Sequence, residues 1–109
     1  MMGISGTFSS ESANGRLLQI AFEHCESMGA ECVIWDNSSP LPFVGEEGCW
    51  DDTAVKSYKE MASDSDAFIL SSPEYHGTMS GVMKNSLDFL SSDQTTDKAF
   101  ALMSTLGGQ

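Results

Sequence analysis

Apolar positions along the chain alternate between two spacings. Short continuous apolar runs occupy residues 1–5, "ECVIWD" at 31–36, "DAFILSS" at 66–72 and "KAFALMS" at 98–104, and each reads as a strand. Helical spacing fills the intervals. Leu18, Ala21, Phe22, Cys25 and Met28 mark one face of a helix over residues 15–28, which Gly29 closes as a C-terminal cap. Val55, Tyr58 and Ala62 mark a second helix over 51–63. Val82, Met83, Ser86, Leu87 and Leu90 mark a third over 80–90. Residues 37–50, with two prolines and two glycines, read as a long irregular loop. The run at 66–72 is apolar enough to be buried on both faces of a parallel sheet.

The order is therefore β-α-β-α-β-α-β-loop. It predicts an α/β domain with a parallel sheet and helices on both faces, one domain over residues 1–109 with no internal repeat. Ligands of such sheets bind beyond the carboxyl ends of the strands. Three loops are predicted there, at residues 6–14, 73–80 and 105–109, and each combines glycine with polar residues.

Charge narrows the choice of ligand. Five Lys and Arg stand against sixteen Asp and Glu, a net charge of −11. That excludes nucleic acid and an anionic membrane surface as partners, since both need a basic face. No apolar run has the length of a bilayer span, and the N-terminus lacks the pattern of a signal peptide. A cytoplasmic protein is the expectation. A small anion remains possible, because a helix N-terminus and backbone N–H groups bind phosphate without side-chain cations. Cys25, Cys32 and Cys49 are odd in number and lack CxxC spacing, and His24 and His76 stand far apart, so neither a disulfide framework nor a metal centre is predicted. Cys25 and Cys32 read as small core residues, His24 as a surface residue, and Trp35 and Trp50 as packing residues.

The loop at 6–14 carries Gly6, Thr7, Ser9, Ser10, Ser12 and Asn14 ahead of a helix, which is the composition of a neutral anion cradle. Ser12 or Asn14 equally suits a helix cap. The loop matches neither GxGxxG nor a Walker motif, which disfavours a tightly held dinucleotide or ATP. "PEYHG" at 73–77 brings a carboxylate, a phenol and an imidazole together, but adjacent residues point in different directions, so the cluster is not read as an acid–base pair.

"GISGTFSSESANGRLL", "SDAFILSSPEYHGTMSGVMKNSLDFLS" and "ALMSTLGG" together resemble the NADPH-dependent FMN reductase family, a flavodoxin-like group. The resemblance runs over nearly the whole chain in the same order, and Pro-Glu-Tyr-x-Gly followed by Lys-Asn is its most specific part. It implies a flavodoxin-like three-layer sandwich with FMN as cofactor, NAD(P)H as a transient co-substrate and a small acceptor such as a quinone, an azo compound, a metal ion or free flavin. Thr7, Ser9, Ser12 and Asn14 would surround the FMN phosphate. Pro73, Glu74, Tyr75, His76 and Gly77 would border the isoalloxazine ring. Gly107 and Gly108 would let the backbone approach the ring's other side. No protein nucleophile, general base or metal is implied, because the flavin carries the chemistry. The family's third helix also implies a homodimer or higher homo-oligomer.

The departures from the pattern are specific. Phe8-Ser9 stands where many members place an arginine, Thr7 replaces serine, His76 replaces asparagine, Ser80 replaces proline and Phe89 replaces tryptophan. The family continues past Gly-Gly into a helix, a strand and a further helix. The resemblance therefore predicts a fold lacking that last portion, with the fourth strand as a bare edge. Three readings follow: an FMN-dependent NAD(P)H oxidoreductase, a flavin-binding electron carrier, or a non-catalytic remnant of the fold acting through protein contacts.

Overall fold

The computed structural model describes residues 1–106 apart from Ser10 and Ser39. Strand β1 (Met2–Ser5) leads to helix α1 (Ala13–Ser27), β2 (Val33–Ile34), α2 (Thr53–Ser63), β3 (Ala67–Tyr75), β4 (Thr78–Met79), α3 (Gly81–Asp88), α4 (Ser92–Thr95) and β5 (Ala99–Thr105). β2, β1, β3 and β5 pair in parallel in that order. The alternating pattern predicts such a parallel sheet, and the strand order is the doubly wound, flavodoxin-like one that the resemblance implies.

Alternation along the strands divides the core into two layers. Met2, Ile4, Phe68 and Leu70 face Val55, Tyr58 and Ala62 of α2 and Met83 of α3, with Phe89 just beyond α3. Ile69 faces Leu18 and Phe22 of α1 on the opposite side. Gly3 explains how α1 lies so near the sheet. A Cβ there would sit 2.8 Å from the Phe22 ring and 3.1 Å from a Leu18 methyl, so only glycine lets that ring reach the strand.

The helices begin and end on identifiable groups. Asp52 caps α2 by accepting from Ala54 N and Val55 N at 2.8 and 3.2 Å. Gly29, at φ +96°, closes α1 with the bond pair of a Schellman ending: Ala30 N donates to Cys25 O and Gly29 N to Glu26 O. That ending corrects one expectation. Met28 occupies the cap itself, where the helical face no longer turns toward the sheet, and it is exposed. The second strand is also shorter than predicted, since β2 is an edge strand pairing with β1 only at Met2 and Gly3. A short helix, α4, was not expected. Ser91 and Gln94 form a capping box there, a pattern hidden in a polar stretch without apolar periodicity.

Phe100 of β5 stacks on Phe68 with centroids 4.7 Å apart. Beyond it Leu102 is 76% exposed. At the other end of α2, Lys98 Nζ donates to Ala62 O and Ser63 O, satisfying carbonyls at the negative end of the helix.

Tyr58 joins the two helices on its side of the sheet. Its hydroxyl donates to Ser86 O at 2.8 Å and its ring packs edge-on against Trp35. Burial pushes its pKa well above the ordinary value. A phenol whose folded pKa is raised contributes stability that is full below its unfolded pKa, about pH 10, and lost as pH rises toward the folded one. Tyr58→Phe is expected to cost about 1 kcal/mol at neutral pH through the lost bond to Ser86. Denaturant melts should show the gap to the unaltered chain closing above about pH 10. A gap constant to pH 11 would contradict this account.

Candidate functional site

Loop geometry at the carboxyl edge begins with β1. Gly6 N donates to Ser71 O at 2.7 Å, so the loop leaves the sheet in register with β3. Thr7 Oγ1 lies 2.8 Å from Ser12 Oγ, and Ser12 Oγ accepts from Gly15 N at 3.0 Å. Ser12 is thus the N-cap of α1, and it shares its hydroxyl with Thr7 across the loop. Asn14 is buried, and its backbone carbonyl accepts from Ser71 Oγ at 3.0 Å. Neutral hydroxyls therefore gather at the start of a helix whose first N–H groups have no partner within the helix.

The second part of the site differs from the simple turn predicted. Pro73, Glu74 and Tyr75 continue β3, and only His76 and Gly77 form the turn. The chain reverses there into β4, with Glu74 opposite Met79 and Tyr75 opposite Thr78. His76 at φ +52° and Gly77 at φ +81° give both central residues positive φ, which two-residue hairpins of matching twist require. The hairpin carries the exposed Tyr75 ring outward from the sheet edge.

Between these parts lies a cavity of about 670 Å³ lined by Thr7, Ser12, Asn14, residues 73–77, Thr105 and Leu106. Every predicted site residue among those described lines it except Ser9. Ser9 instead borders a smaller hollow of about 280 Å³ beside the end of β2, and its Oγ accepts from Glu11 N. Gly107 and Gly108 lie outside the described residues. No Lys or Arg lines the cavity among the described residues. A second cavity, about 640 Å³ and mostly apolar, shares Thr7 and Tyr75 with the first and is walled by Phe8, Leu41, Phe43 and Val82. A wider depression of about 850 Å³ lies at the opposite edge of the sheet, but Glu31, Glu60, Asp64 and Asp66 line it and would repel an anion.

Two residues that the sequence reading passed over hold the loop. Asn37 Nδ2 donates to Ser5 O at 3.0 Å and Thr7 O at 2.9 Å. Ser80 Oγ donates to Gly6 O at 2.7 Å and accepts from Met83 N at 3.1 Å, capping α3 at the same time. Neither has a sequence signature for this role: Asn37 opens an irregular loop, and Ser80 stands out only as a replacement for the family's proline. Asp36 beside them accepts from Ser38 Oγ and Ser38 N, which holds its carboxyl below the usual range.

The sequence model of the NADPH-dependent FMN reductase family matches residues 1–109. The chain is 47% identical over 66 residues to an NADPH azoreductase of Bacillus sp. (strain OY1-2), covering 61% of this chain and 37% of that one. It is 31% identical over 112 residues to an NAD(P)H:quinone oxidoreductase of Solanum tuberosum, covering 97% of this chain and 58% of the relative. Among solved structures, the flavoenzyme NAD(P)H:(acceptor) oxidoreductase FerB of Paracoccus denitrificans superposes with a TM-score of 0.80 at 24% identity. That alignment covers 98% of this chain and 60% of FerB, and it shows a shared fold. The matched regions thus cover between 37% and 60% of the length of these proteins.

The hairpin geometry has a direct test. Gly77→Ala is expected to loosen the turn by roughly 1–2 kcal/mol, the cost of a left-handed conformation with a Cβ, while His76→Asn keeps it, since Asn-Gly suits this turn. Faster amide exchange across residues 74–79 in the first variant alone is the expected result. Equal exchange in both would contradict the assigned turn.

Proposed function

The chain belongs to the NADPH-dependent FMN reductase family, and on that premise we propose that it holds FMN at the carboxyl edge of its sheet and serves an NAD(P)H-dependent reduction of a small acceptor. One observation carries the reading: the hydroxyl cradle of Thr7 and Ser12 and the hairpin at residues 73–79 converge on one cavity of about 670 Å³, which is the size of a cofactor site. When bound, FMN supplies the redox chemistry, accepting hydride from NAD(P)H and passing reducing equivalents onward. The protein's part is to bind and orient. Thr7, Ser12 and the first turn of α1 suit the phosphate, with Asn14 lining the same wall. Residues 73–77 suit the ring by backbone and shape, with Tyr75 at its rim. Ser9 belongs to the proposal only as a flank of the phosphate loop, and Gly107 and Gly108 as the third wall.

The apolar cavity beside Tyr75 supports a flat, aromatic acceptor such as a quinone or an azo compound, in keeping with the names of the relatives. Assembly as a homodimer or larger homo-oligomer is part of the proposal, supported by the exposed apolar side chains of Phe43, Leu102 and Leu106. So is a cytoplasmic setting, supported by the free thiols of Cys25, Cys32 and Cys49.

The purified chain is expected to turn yellow with FMN and to bleach on adding NADPH without oxygen. Tyr75→Ala combined with Gly77→Ala should weaken FMN binding, whereas Trp50→Ala, which removes an edge-on contact with Phe89, should lower the melting temperature only. Yellow protein that does not bleach would favour the carrier reading. No binding of FMN at micromolar concentration would overturn the proposal.

A further inference from the structure

Three consecutive backbone carbonyls open the loop after β1, and each is occupied. Asn37 Nδ2 takes those of Ser5 and Thr7, and Ser80 Oγ takes that of Gly6. Both side chains are fixed, since Asn37 and Ser80 are buried to 8% and 1% exposure. Both reach the loop from elsewhere in the chain, Asn37 from beyond β2 and Ser80 from the start of α3. Gly6 is shaped to this arrangement. A Cβ there would lie 2.7 Å from both Ser80 Oγ and Ser72 Oγ, so no larger residue admits the Ser80 bond. Neither Asn37 nor Ser80 lines the cavity bounded by Thr7, Ser12 and Asn14.

The electrostatic consequence follows from the absence of cations in that lining. A peptide unit presents either a positive N–H end or a negative C=O end. Where Lys or Arg lines an anion site, a stray carbonyl is tolerable. Here the lining holds the Glu74 carboxylate on the hairpin side and no Lys or Arg among the described residues, so an anion at the loop depends on which peptide ends are free there. The geometry points to Asn37 and Ser80 as positioning residues for phosphate recognition: they bind the carbonyls of residues 5–7 so that an incoming phosphate meets N–H and hydroxyl donors instead. This inference rests on the FMN reading above and adds to it two residues outside the phosphate cavity, which line the apolar cavity beside it instead.

A structural role would lower affinity for any flavin; a role in phosphate recognition lowers it for FMN alone. FMN and riboflavin, the same ring without the phosphate, separate the two. Titrations of the full chain are expected to show Ser80→Ala and Asn37→Leu each weakening FMN about tenfold, as for a lost bond acting on a charged group, while riboflavin affinity changes less than about threefold. Ser65→Ala removes a hydroxyl bonded to Met61 O at the opposite edge of the sheet, touches neither clamp, and should keep the ratio of the unaltered chain. Equal losses for both flavins, or unchanged FMN affinity, would overturn the inference. A measurement on the unaltered chain stands in if the variants fail to fold. The Asn37 side-chain amide resonances should shift with FMN and with inorganic phosphate but not with riboflavin, and the opposite pattern overturns the assignment. Binding of neither flavin by the unaltered chain overturns the FMN reading itself, and this inference falls with it.

Discussion

Gly6 sits where three elements meet, and its two backbone bonds tie them together. Its N–H joins Ser71 of β3, and its carbonyl joins Ser80 at the start of α3. Ser80 N in turn donates to Ser72 Oγ, so strand, loop and helix close into one knot of buried serines. The hairpin that carries Tyr75 is framed by that knot, because it lies between Ser72 and Ser80. The cradle of Thr7 and Ser12 begins at its other side. Both halves of the candidate site are therefore fixed relative to each other by hydrogen bonds among buried, uncharged groups. Such bonds hold their geometry because leaving any one unmade inside the fold is costly.

The charge distribution gives that arrangement its meaning. The chain carries −11, and none of its five Lys and Arg lines the candidate cavity. Lys98 caps the far end of α2, Lys84 pairs with Asp88, Lys59 lies over the Trp50 ring, and Lys56 is exposed on α2. Arg16 is exposed on α1. An anion at the carboxyl edge must be held by dipoles, and dipoles act only when oriented. The protein's general field opposes such a ligand, so the fixed local groups decide whether it binds.

Much of this was legible in the residues themselves. Short apolar runs gave the parallel strands, helical spacing gave the three longer helices, and the polar loop at 6–14 pointed to an anion. The resemblance of "PEYHG" and "KN" to a flavin reductase pointed to the hairpin that borders the candidate cavity. What stayed hidden has a common cause. The β3–β4 hairpin depends on two positive φ values that a His-Gly pair only partly signals. The clamps at Asn37 and Ser80 are long-range contacts, separated from the groups they hold by 30 residues or more, and no local pattern encodes them. Gly29 marked the stop of α1, but Met28 was misplaced because the cap residue leaves the helical φ/ψ and with it the buried face. Ser9 shares its neighbours' chemistry, yet the loop's course sets it against the end of β2.

The central claim is that loop and hairpin form one site for a flavin phosphate and ring, with no Lys or Arg among its described lining. Amide spectra of the isotopically labelled chain, recorded during an FMN titration, test it most directly. The account predicts shifts concentrated at Thr7, Ser12, Asn14, Glu74, Tyr75 and Gly77, with the opposite edge at Ala30, Glu31 and Asp64 unmoved. Shifts centred on that opposite edge, or confined to the hairpin with the loop silent, would contradict it.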